Sequence, residues 1–191
     1  MWSVLEAAND AAFWLLIALL ILQVYNIIFH KDTPNIRTAP AIRAKIIERL
    51  KQDRAERKCA SYTVVDLGSG NGLFTREIAK AMPDAKVIGI EIAKTSVMWS
   101  NWLKRRAKLD NLEYKNMNFL NYDLSEPDAI VMYLLPFVME KLGRKLHDEA
   151  RPGTLITSNN FHLKADWQPE ETLSIKTRYV NQRELYVYRK K

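Results

Sequence analysis

The stretch that decides the fold reads Thr63-Val64-Val65-Asp66-Leu67-Gly68-Ser69-Gly70-Asn71-Gly72. An apolar run ends in an acid, passes through three alternate glycines and leads into a helix-like segment, Leu73 to Met82. Glycine lets a backbone turn tightly and approach a ligand where a Cβ atom would collide. The order of strand, glycine-rich turn and helix is the context in which such a loop binds a nucleotide-type ligand.

A second acid follows at the end of the next apolar run. Residues Lys86-Val87-Ile88-Gly89-Ile90 precede Glu91, nineteen residues past Gly72. A carboxylate at the tip of the second parallel strand accepts hydrogen bonds from both hydroxyls of a ribose. The pattern therefore predicts a site for a cofactor that contains adenosine.

The spacing of the glycines distinguishes between two kinds of adenosine cofactor. Dinucleotide sites usually read G-x-G-x-x-G and aim a helix N-terminus at a pyrophosphate. Here the spacing is G-x-G-x-G, and Asp66 would repel a pyrophosphate but suits a ligand that carries an ammonium and a sulfonium. S-adenosylmethionine (SAM) is such a ligand, and it is favoured over a turn without a ligand. The residues predicted to hold it are Asp66, Gly68, Ser69, Gly70, Asn71, Gly72 and Glu91.

The rest of the chain alternates strands with helices. Strands are predicted at 62–66, 86–91, 112–117, 128–133 and 154–159, and helices at about 41–57, 73–82, 95–108 and 137–149. Two further strands, 172–179 and 184–188, have no helix between them and are expected to pair antiparallel. An α/β fold with a mostly parallel seven-stranded sheet, covered on both faces and ended by an antiparallel hairpin, is the Rossmann-like layout of class I SAM-dependent methyltransferases.

The N-terminal segment is uncharged and apolar from 11 to 29. As a helix it would span about 28 Å, close to the thickness of a bilayer's hydrocarbon core. A signal peptide would need basic residues before the run and small residues after it. A buried helix that is apolar on all faces is rare outside large cores. We therefore predict a transmembrane anchor at 1–30, a basic juxtamembrane linker and helix at 31–58, and the methyltransferase domain at 59–191.

Much of the net charge of +7 lies directly after this apolar segment. No Lys or Arg precedes the segment, whereas 30–58 carries four acids and nine basic residues: Lys31, Arg37, Arg43, Lys45, Arg49, Lys51, Arg54, Arg57 and Lys58. The positive-inside rule then predicts a single-pass membrane protein with its catalytic domain on the cytoplasmic side. The same charge favours anionic lipid over nucleic acid as the partner.

Side chains after the fourth and fifth strands form the predicted substrate side. In an open parallel sheet, ligands bind outside the carboxyl ends of the strands. This rule selects Tyr133, Leu135 and Pro136 after the fourth strand and Asn159 at the end of the fifth. We assign them to the catalytic, substrate-facing part of the site.

Other residues receive structural interpretations. The single cysteine, Cys59, excludes an intrachain disulfide and a multi-cysteine metal site. The three histidines, which have no metal-ligand spacing, are expected at the surface or in packing: His30, His147 and His162. Trp99 and Trp102 share one face of a helix, and we expect them to pack against the domain.

Several short elements point to one family. They are Thr38-Ala39-Pro40, Val65 to Gly72, Gly89-Ile90-Glu91, Leu135-Pro136, Met139-Glu140-Lys141-Leu142, Ala150-Arg151 and Trp167. With them the sequence resembles the small membrane-anchored protein-lysine methyltransferases whose mitochondrial members modify the ATP synthase c subunit and the adenine nucleotide translocase. The glycine motif is common to all class I methyltransferases, whereas the stretch from Pro136 to Leu142 is more particular to this family. The resemblance implies a lysine acceptor.

Three positions depart from the family's pattern. Asn71 stands where the family usually has Asp, and Asn118 stands where it has an acid after the third strand. An Asn oxygen still accepts a hydrogen bond from the adenine amino group, so the resemblance implies that Asn118 and Phe119 bind the adenine. Ser158 to His162 replaces a family segment that lines the substrate side.

Three functions are consistent with these residues. The favoured one is in-line transfer of a methyl group from SAM to a lysine of a membrane protein. A methyltransferase of a lipid or a lipophilic small molecule would use the same fold and anchor. A catalytically silent SAM-binding assembly factor is the third, and Asn71 and Asn118 are the residues that favour it.

Overall fold

The structure, a computed structural model, describes residues 10, 12–21, 37–57, 61–178 and 183–191. The chain divides into two units, Met1–Ile36 and Arg37–Lys191. In the first unit, 12–21 is helical, and the remaining residues of the predicted span, 11 and 22–29, lie outside the described residues. Among the described residues, no helix is both long enough and apolar enough to cross a membrane. The anchor therefore stays a prediction.

The second unit alternates strands with helices, as the sequence predicts. Its strands are β1 (Thr63–Leu67), β2 (Lys86–Glu91), β3 (Leu112–Asn116), β4 (Ala129–Met132), β5 (Leu155–Asn159), β6 (Glu171–Ser174) and β7 (Glu184–Arg189). Its α-helices are α1 (Pro40–Arg57), α2 (Leu73–Ala81), α3 (Lys94–Arg106) and α4 (Met139–Glu149). Two short 3₁₀ helices, Phe119–Asn121 and Pro136–Val138, follow β3 and β4.

The strands form one seven-stranded sheet in the order β3-β2-β1-β4-β5-β7-β6. Strands β1 to β5 pair in parallel, and β7 pairs antiparallel with both β5 and β6. The predicted sheet and its antiparallel hairpin are confirmed. Strand β6 ends at Ser174, earlier than predicted, because this edge strand pairs only with β7 and its register with β7 ends at Glu184.

Successive residues of each central strand enter opposite halves of the core. Val64 and its neighbours pack under α1 and α2, while Val65 packs on the α4 side. This alternation follows from the two-residue period of a strand, and burial on both faces explains why β4 reads as a continuous apolar run. The predicted helical stripe of α1 is confirmed, since Ile42 and Ile46 lie in the first half of the core.

A buried carboxylate ties α1 to the last strand. Asp53 accepts hydrogen bonds from Tyr62 Oη at 2.6 Å, Arg57 Nε at 2.7 Å and Arg189 Nη1 at 2.6 Å. A buried charge is tolerated when it is paired and hydrogen-bonded in this way. At least one basic residue of α1, Arg57, therefore stabilises the fold by pairing with a buried carboxylate.

The histidines within the described residues are packing residues, as expected. The ring of His147 lies 4.9 Å from that of Trp167, and the ring of His162 lies 5.7 Å from that of Tyr188. His30 lies outside the described residues.

The expectation that Trp99 and Trp102 pack against the domain is wrong. Their spacing does place them on one helical face, and their rings stack at 4.9 Å. That face is the outer one, because α3 turns Val97 and Ser100 toward the sheet instead. The two rings remain 52% and 40% exposed.

Candidate cofactor site

The glycine-rich loop leaves β1 in a conformation that suits glycine. Gly68, Gly70 and Gly72 have φ angles of 78°, 54° and 69°, all in the left-handed region. The N–H groups of Gly68 and Ser69 both donate to the Ile90 carbonyl, at 2.9 and 3.0 Å. The loop is therefore folded back onto the end of β2 before α2 begins.

Gly72 has a second reason to be glycine. A Cβ atom there would lie 2.3 Å from Tyr114 Oη and 2.8 Å from Ser100 Oγ. The Tyr114 hydroxyl donates to the Gly72 carbonyl at 3.0 Å, so it cannot move away without losing that bond. A tyrosine of β3 thus fixes the point at which the loop enters α2.

Glu91 is held at the carboxyl end of β2 by two backbone donors. Its Oε2 accepts from Gly70 N–H and its Oε1 from Ala93 N–H, both at 2.8 Å. An ionised carboxylate has about four acceptor positions, so each oxygen can accept one more hydrogen bond. The side chain is oriented in advance, with capacity left for the two hydroxyls of a ribose.

Asp66 is the buried acid of the site. Its Oδ2 accepts a hydrogen bond from Thr75 Oγ1 at 2.7 Å. Burial raises the pKa of Asp66 to about 7, against the opposing effect of the Thr75 hydrogen bond and with the help of the Glu91 charge. A ligand ammonium near Asp66 would restore the ionised form, because an opposite charge favours it.

The two asparagines that depart from the family's pattern each accept a local backbone hydrogen bond. Asn71 Oδ1 accepts from Leu73 N–H at 3.3 Å at the start of α2. Asn118 Oδ1 accepts from Leu120 N–H at 2.9 Å and begins the 3₁₀ turn that contains Phe119. Since a carbonyl oxygen has two lone pairs, Asn118 can also accept from an adenine amino group.

Ser69 carries an orphaned polar atom inside the loop. The side chain is buried, and its Oγ has no hydrogen-bond partner among the described residues. Buried hydroxyls are nearly always paired, so an unpaired one in a ligand loop is consistent with a ligand contact.

Together these residues fit SAM. The buried Asp66 suits the ammonium of its methionine part, the loop at Gly68 and Gly70 leaves room for a close approach, and Glu91 suits the ribose. When bound, SAM supplies a methyl group on a sulfonium, activated for attack by a nucleophile.

The predicted substrate side lies at the same edge of the sheet. Met132, the last residue of β4, pairs with Ser158 of β5. Tyr133 follows Met132 directly, and Asn159 is the last residue of β5. Strand β4 is also the neighbour of β1, and Leu134 lies against Gly68, where an added Cβ would come within 2.7 Å of it. Topology thus brings the cofactor loop and the predicted substrate residues together.

Tyr133 lies in an aromatic setting. Its ring stacks on that of Phe161 at 6.2 Å and 20°. Burial raises the pKa of the Tyr133 hydroxyl. Leu135 and Pro136 begin the short 3₁₀ helix Pro136–Val138 and shape the connection from β4 to α4.

Asn159 is the most unusual polar residue at this edge. It is completely buried, and neither atom of its amide has a hydrogen-bond partner within the part of the chain that the structure describes. Leaving such a group unpaired costs about 1–3 kcal/mol. An unpaired donor and acceptor at a strand end that faces a ligand site are consistent with a contact to substrate.

Few sequence signals point to the residues that support the site. Thr75, Ser100 and Tyr114 belong to no motif, and their positions follow only from the packing of α2, α3 and β3. One signal was present: a glycine inside a strand often marks a close approach. At Gly89 an added Cβ would lie 2.6 Å from the Tyr114 ring and 2.9 Å from Ser69 Oγ.

The fold and this site define a class I SAM-dependent methyltransferase. Residues 66–171 match the family model described as the ANTKMT methyltransferase domain, which covers more than half of the chain. The chain belongs to this family.

Known proteins with similar sequences or structures agree with this assignment. A protein-lysine N-methyltransferase of Saccharolobus islandicus (strain REY15A) is 31% identical over 134 residues, which are 65% of this chain and 77% of that protein. The crystal structure of an RNA methyltransferase from Salinibacter ruber, in complex with S-adenosylhomocysteine, is 25% identical. It has a TM-score of 0.65 and the match covers 81% of this chain and 93% of that one.

A third comparison shows the fold alone. A precorrin-6y C5,15-methyltransferase from Geobacter metallireducens GS-15 is 14% identical, with a TM-score of 0.59 and coverage of 83% and 92% of the two chains.

The family match, the lysine methyltransferase relative and the Salinibacter ruber structure together show that the protein is a SAM-dependent methyltransferase and that SAM is its cofactor. The alternative of a catalytically silent assembly factor is not favoured by these findings.

Proposed function

We propose that the protein transfers a methyl group from SAM to the ε-amine of a lysine in a membrane protein. The observation that carries the proposal is the unpaired, buried amide of Asn159 at the end of β5, on the strand next to the one that leads into Tyr133, whose ring stacks on Phe161. An amine on a long apolar stem matches this combination of aromatic rings and an amide acceptor. The lysine specificity of the Saccharolobus islandicus relative, as its name states it, supports the same acceptor.

The proposed site has to supply a neutral amine. A lysine has a pKa near 10.4, and being neutral at pH 7.4 costs about 4 kcal/mol. Apolar and aromatic surroundings lower that pKa because they disfavour the charged form. In this proposal the Asn159 side-chain oxygen accepts a hydrogen bond from the amine and so orients the lone pair of the amine nitrogen toward the methyl group. The Tyr133 ring lines the path by which the lysine side chain enters. The protein's task is then positioning of the two reactants.

The membrane-protein part of the proposal rests on the N-terminal sequence. The uncharged run 11–29 and the nine basic residues of 30–58 support a single-pass anchor with the catalytic domain on the cytoplasmic side. An enzyme held at a bilayer meets substrates that share the bilayer, and that includes both membrane proteins and lipophilic small molecules. The two kinds of acceptor must be separated by experiment.

The test uses purified full chain, methyl-labelled SAM and membranes from a strain that lacks the protein. After incubation, protein, lipid and RNA are separated, and labelled protein is hydrolysed to amino acids. We expect label in methyl-lysine on a discrete membrane protein. A matched reaction with the Glu91→Gln variant should give much less label, and the exposed Glu113→Gln variant should behave as wild type.

Other distributions of label would contradict the proposal. Label in the lipid fraction would identify a lipid methyltransferase, and label in RNA would point to an activity like that named for the Salinibacter ruber structure. No label in any fraction, from protein that binds SAM in the same buffer, would also contradict it.

A further inference from the structure

Helix α3 presents an exposed face that combines apolar and basic side chains. Its sequence from Lys94 to Arg106 contains no Asp or Glu. We call this face the outer face of α3. Its exposed residues are Lys94, Thr95, Met98, Trp99, Trp102, Arg105 and Arg106.

The apolar part of the outer face is large. Met98 is 63% exposed, and Trp99 and Trp102 expose about half of their surface. Exposed apolar patches with a polar rim mark surfaces that bind a partner or a membrane. The face has no role in the cofactor site, because the residues by which α3 packs are Val97 and Ser100.

The way the tryptophans are arranged favours lipid over nucleic acid. Trp102 stacks on Trp99, three residues before it, and carries the Arg106 guanidinium 4.9 Å from its ring centre, four residues after it. Both neighbours take up ring surface of Trp102 on which a nucleobase would have to stack. Both tryptophans remain partly exposed, and an exposed Trp suits the headgroup level of a bilayer, where Trp is enriched.

The charge of this region selects the kind of lipid. Between 94 and 108 there are no acids and five basic residues: Lys94, Lys104, Arg105, Arg106 and Lys108. Each basic residue near an anionic bilayer strengthens binding about fivefold. A helix with Trp and Met flanked by Lys and Arg lies in the plane of such an interface.

The outer face begins at the edge of the sheet that holds the cofactor residues. Helix α3 starts three residues after Glu91, and Ile92 between them is exposed. Phe137, which is 74% exposed, follows β4 at the same edge. Strands β2 and β4 flank β1 on its two sides, so exposed apolar side chains lie on both sides of the glycine loop.

We propose that the outer face of α3 docks onto the surface of an anionic lipid bilayer and brings the carboxyl edge of the sheet to the membrane. The docking involves residues of the folded domain and is separate from the predicted anchor. It needs no turnover, so its test does not depend on which acceptor is methylated.

The experiment places a fluorescent probe on the outer face in the full chain. Met98→Cys is introduced into a Cys59→Ser background and labelled with NBD, a fluorophore whose emission shifts to the blue in an apolar environment. The matched control is Lys86→Cys, labelled in the same way, because Lys86 is exposed at the opposite end of β2. Both proteins are titrated with phosphatidylcholine vesicles and with vesicles that also contain phosphatidylglycerol.

We expect a blue shift at position 98 with the anionic vesicles and none at position 86. In the labelled Met98→Cys protein, the further change of Lys94→Gln and Arg105→Gln should raise the vesicle concentration for half-maximal shift by about 25-fold. Both side chains are exposed, so the thermal unfolding midpoint should stay unchanged.

Four results would overturn the proposal. They are no shift at position 98 with either vesicle, equal shifts with neutral and anionic vesicles, equal shifts at 98 and 86, and a shift with single-stranded RNA but not with vesicles. The last result would assign the outer face of α3 to nucleic acid instead.

Discussion

The replacement of Glu91 by glutamine tests the central geometry of the cofactor site. Each carboxylate oxygen accepts one backbone N–H, from Gly70 and from Ala93, at 2.8 Å. Glutamine has nearly the same shape but only one acceptor oxygen, so its NH₂ group must face one of these two donors. The substitution also removes the negative charge that the ribose hydroxyls would meet.

The magnitude follows from the hydrogen bonds involved. A bond to a charged acceptor contributes about 1.5–3 kcal/mol and a neutral one about 0.5–1.5 kcal/mol. Loss of charge at two ribose hydroxyls therefore weakens binding by about 2–3 kcal/mol, or roughly 30- to 150-fold in the dissociation constant for SAM. Glu91 is only partly buried, so we expect a smaller effect on folding, of about 1 kcal/mol.

The assay is calorimetric titration of wild type and variants with SAM, together with thermal unfolding of each protein. Glu113→Gln is the matched control, because Glu113 is exposed on the neighbouring strand and lies 3.9 Å from Lys115. Glu91→Asp separates charge from reach, since it keeps the charge but is one methylene too short to hold both backbone donors. We expect it to fall between wild type and Glu91→Gln.

An unchanged affinity for SAM in folded Glu91→Gln would refute this reasoning. A large loss of stability without a specific loss of affinity would also refute it, since Glu91 would then support the loop and not the ligand. Equal losses in Glu91→Gln and Glu113→Gln would point to a general charge effect.

Three further predictions concern the same edge of the sheet. The pKa of Asp66 is raised to about 7 in the folded, SAM-free protein, because burial favours the protonated carboxyl. The contribution of this protonated form to stability is fully present below about pH 4 and is lost as the pH rises through 7. Urea unfolding across this range should show a difference in the free energy of unfolding on the order of 4 kcal/mol, and Asp66→Asn should abolish it. The affinity for SAM should rise about tenfold from pH 6 to 8 in the wild type but not in Asp66→Asn. Gly72→Ala should destabilise the fold by about 2–4 kcal/mol because its Cβ meets Tyr114, whereas the control Gly153→Ala, with a φ of 87° but no atom within 3.4 Å, should cost only about 1–2 kcal/mol. Asn159→Leu removes an unpaired buried amide, so it should not lower stability and should leave SAM binding unchanged. It should lower methyl transfer at least about tenfold, and full activity in this variant would remove Asn159 from the substrate site.

Local sequence patterns predicted most of the fold. The two-residue period of the strands, the helical stripe of α1 and the glycines after Leu67 are properties of neighbouring residues, and each strand and helix predicted between 41 and 188 is present. The position of Glu91 beside the glycine loop could also be predicted, because the carboxyl end of the second parallel strand lies next to the loop that follows the first strand.

The prediction that failed concerns which face of a helix packs against the sheet. Spacing shows that Trp99 and Trp102 share a face, but it does not show which face of α3 meets the sheet. That choice is made when the helix packs on the sheet, where Val97 and Ser100 are the residues of α3 that become buried.

The sequence by itself therefore determined the class of fold, the cofactor and the acid that meets its ribose, because these depend on short-range order along the chain. Only the tertiary structure decided how Tyr114 constrains Gly72, that burial raises the pKa of Asp66, and that Asn159 is buried without a partner among the described residues. Each of these is a contact or a loss of solvent between segments far apart in the chain. Such relations arise when the sheet assembles and leave no periodic mark in the sequence.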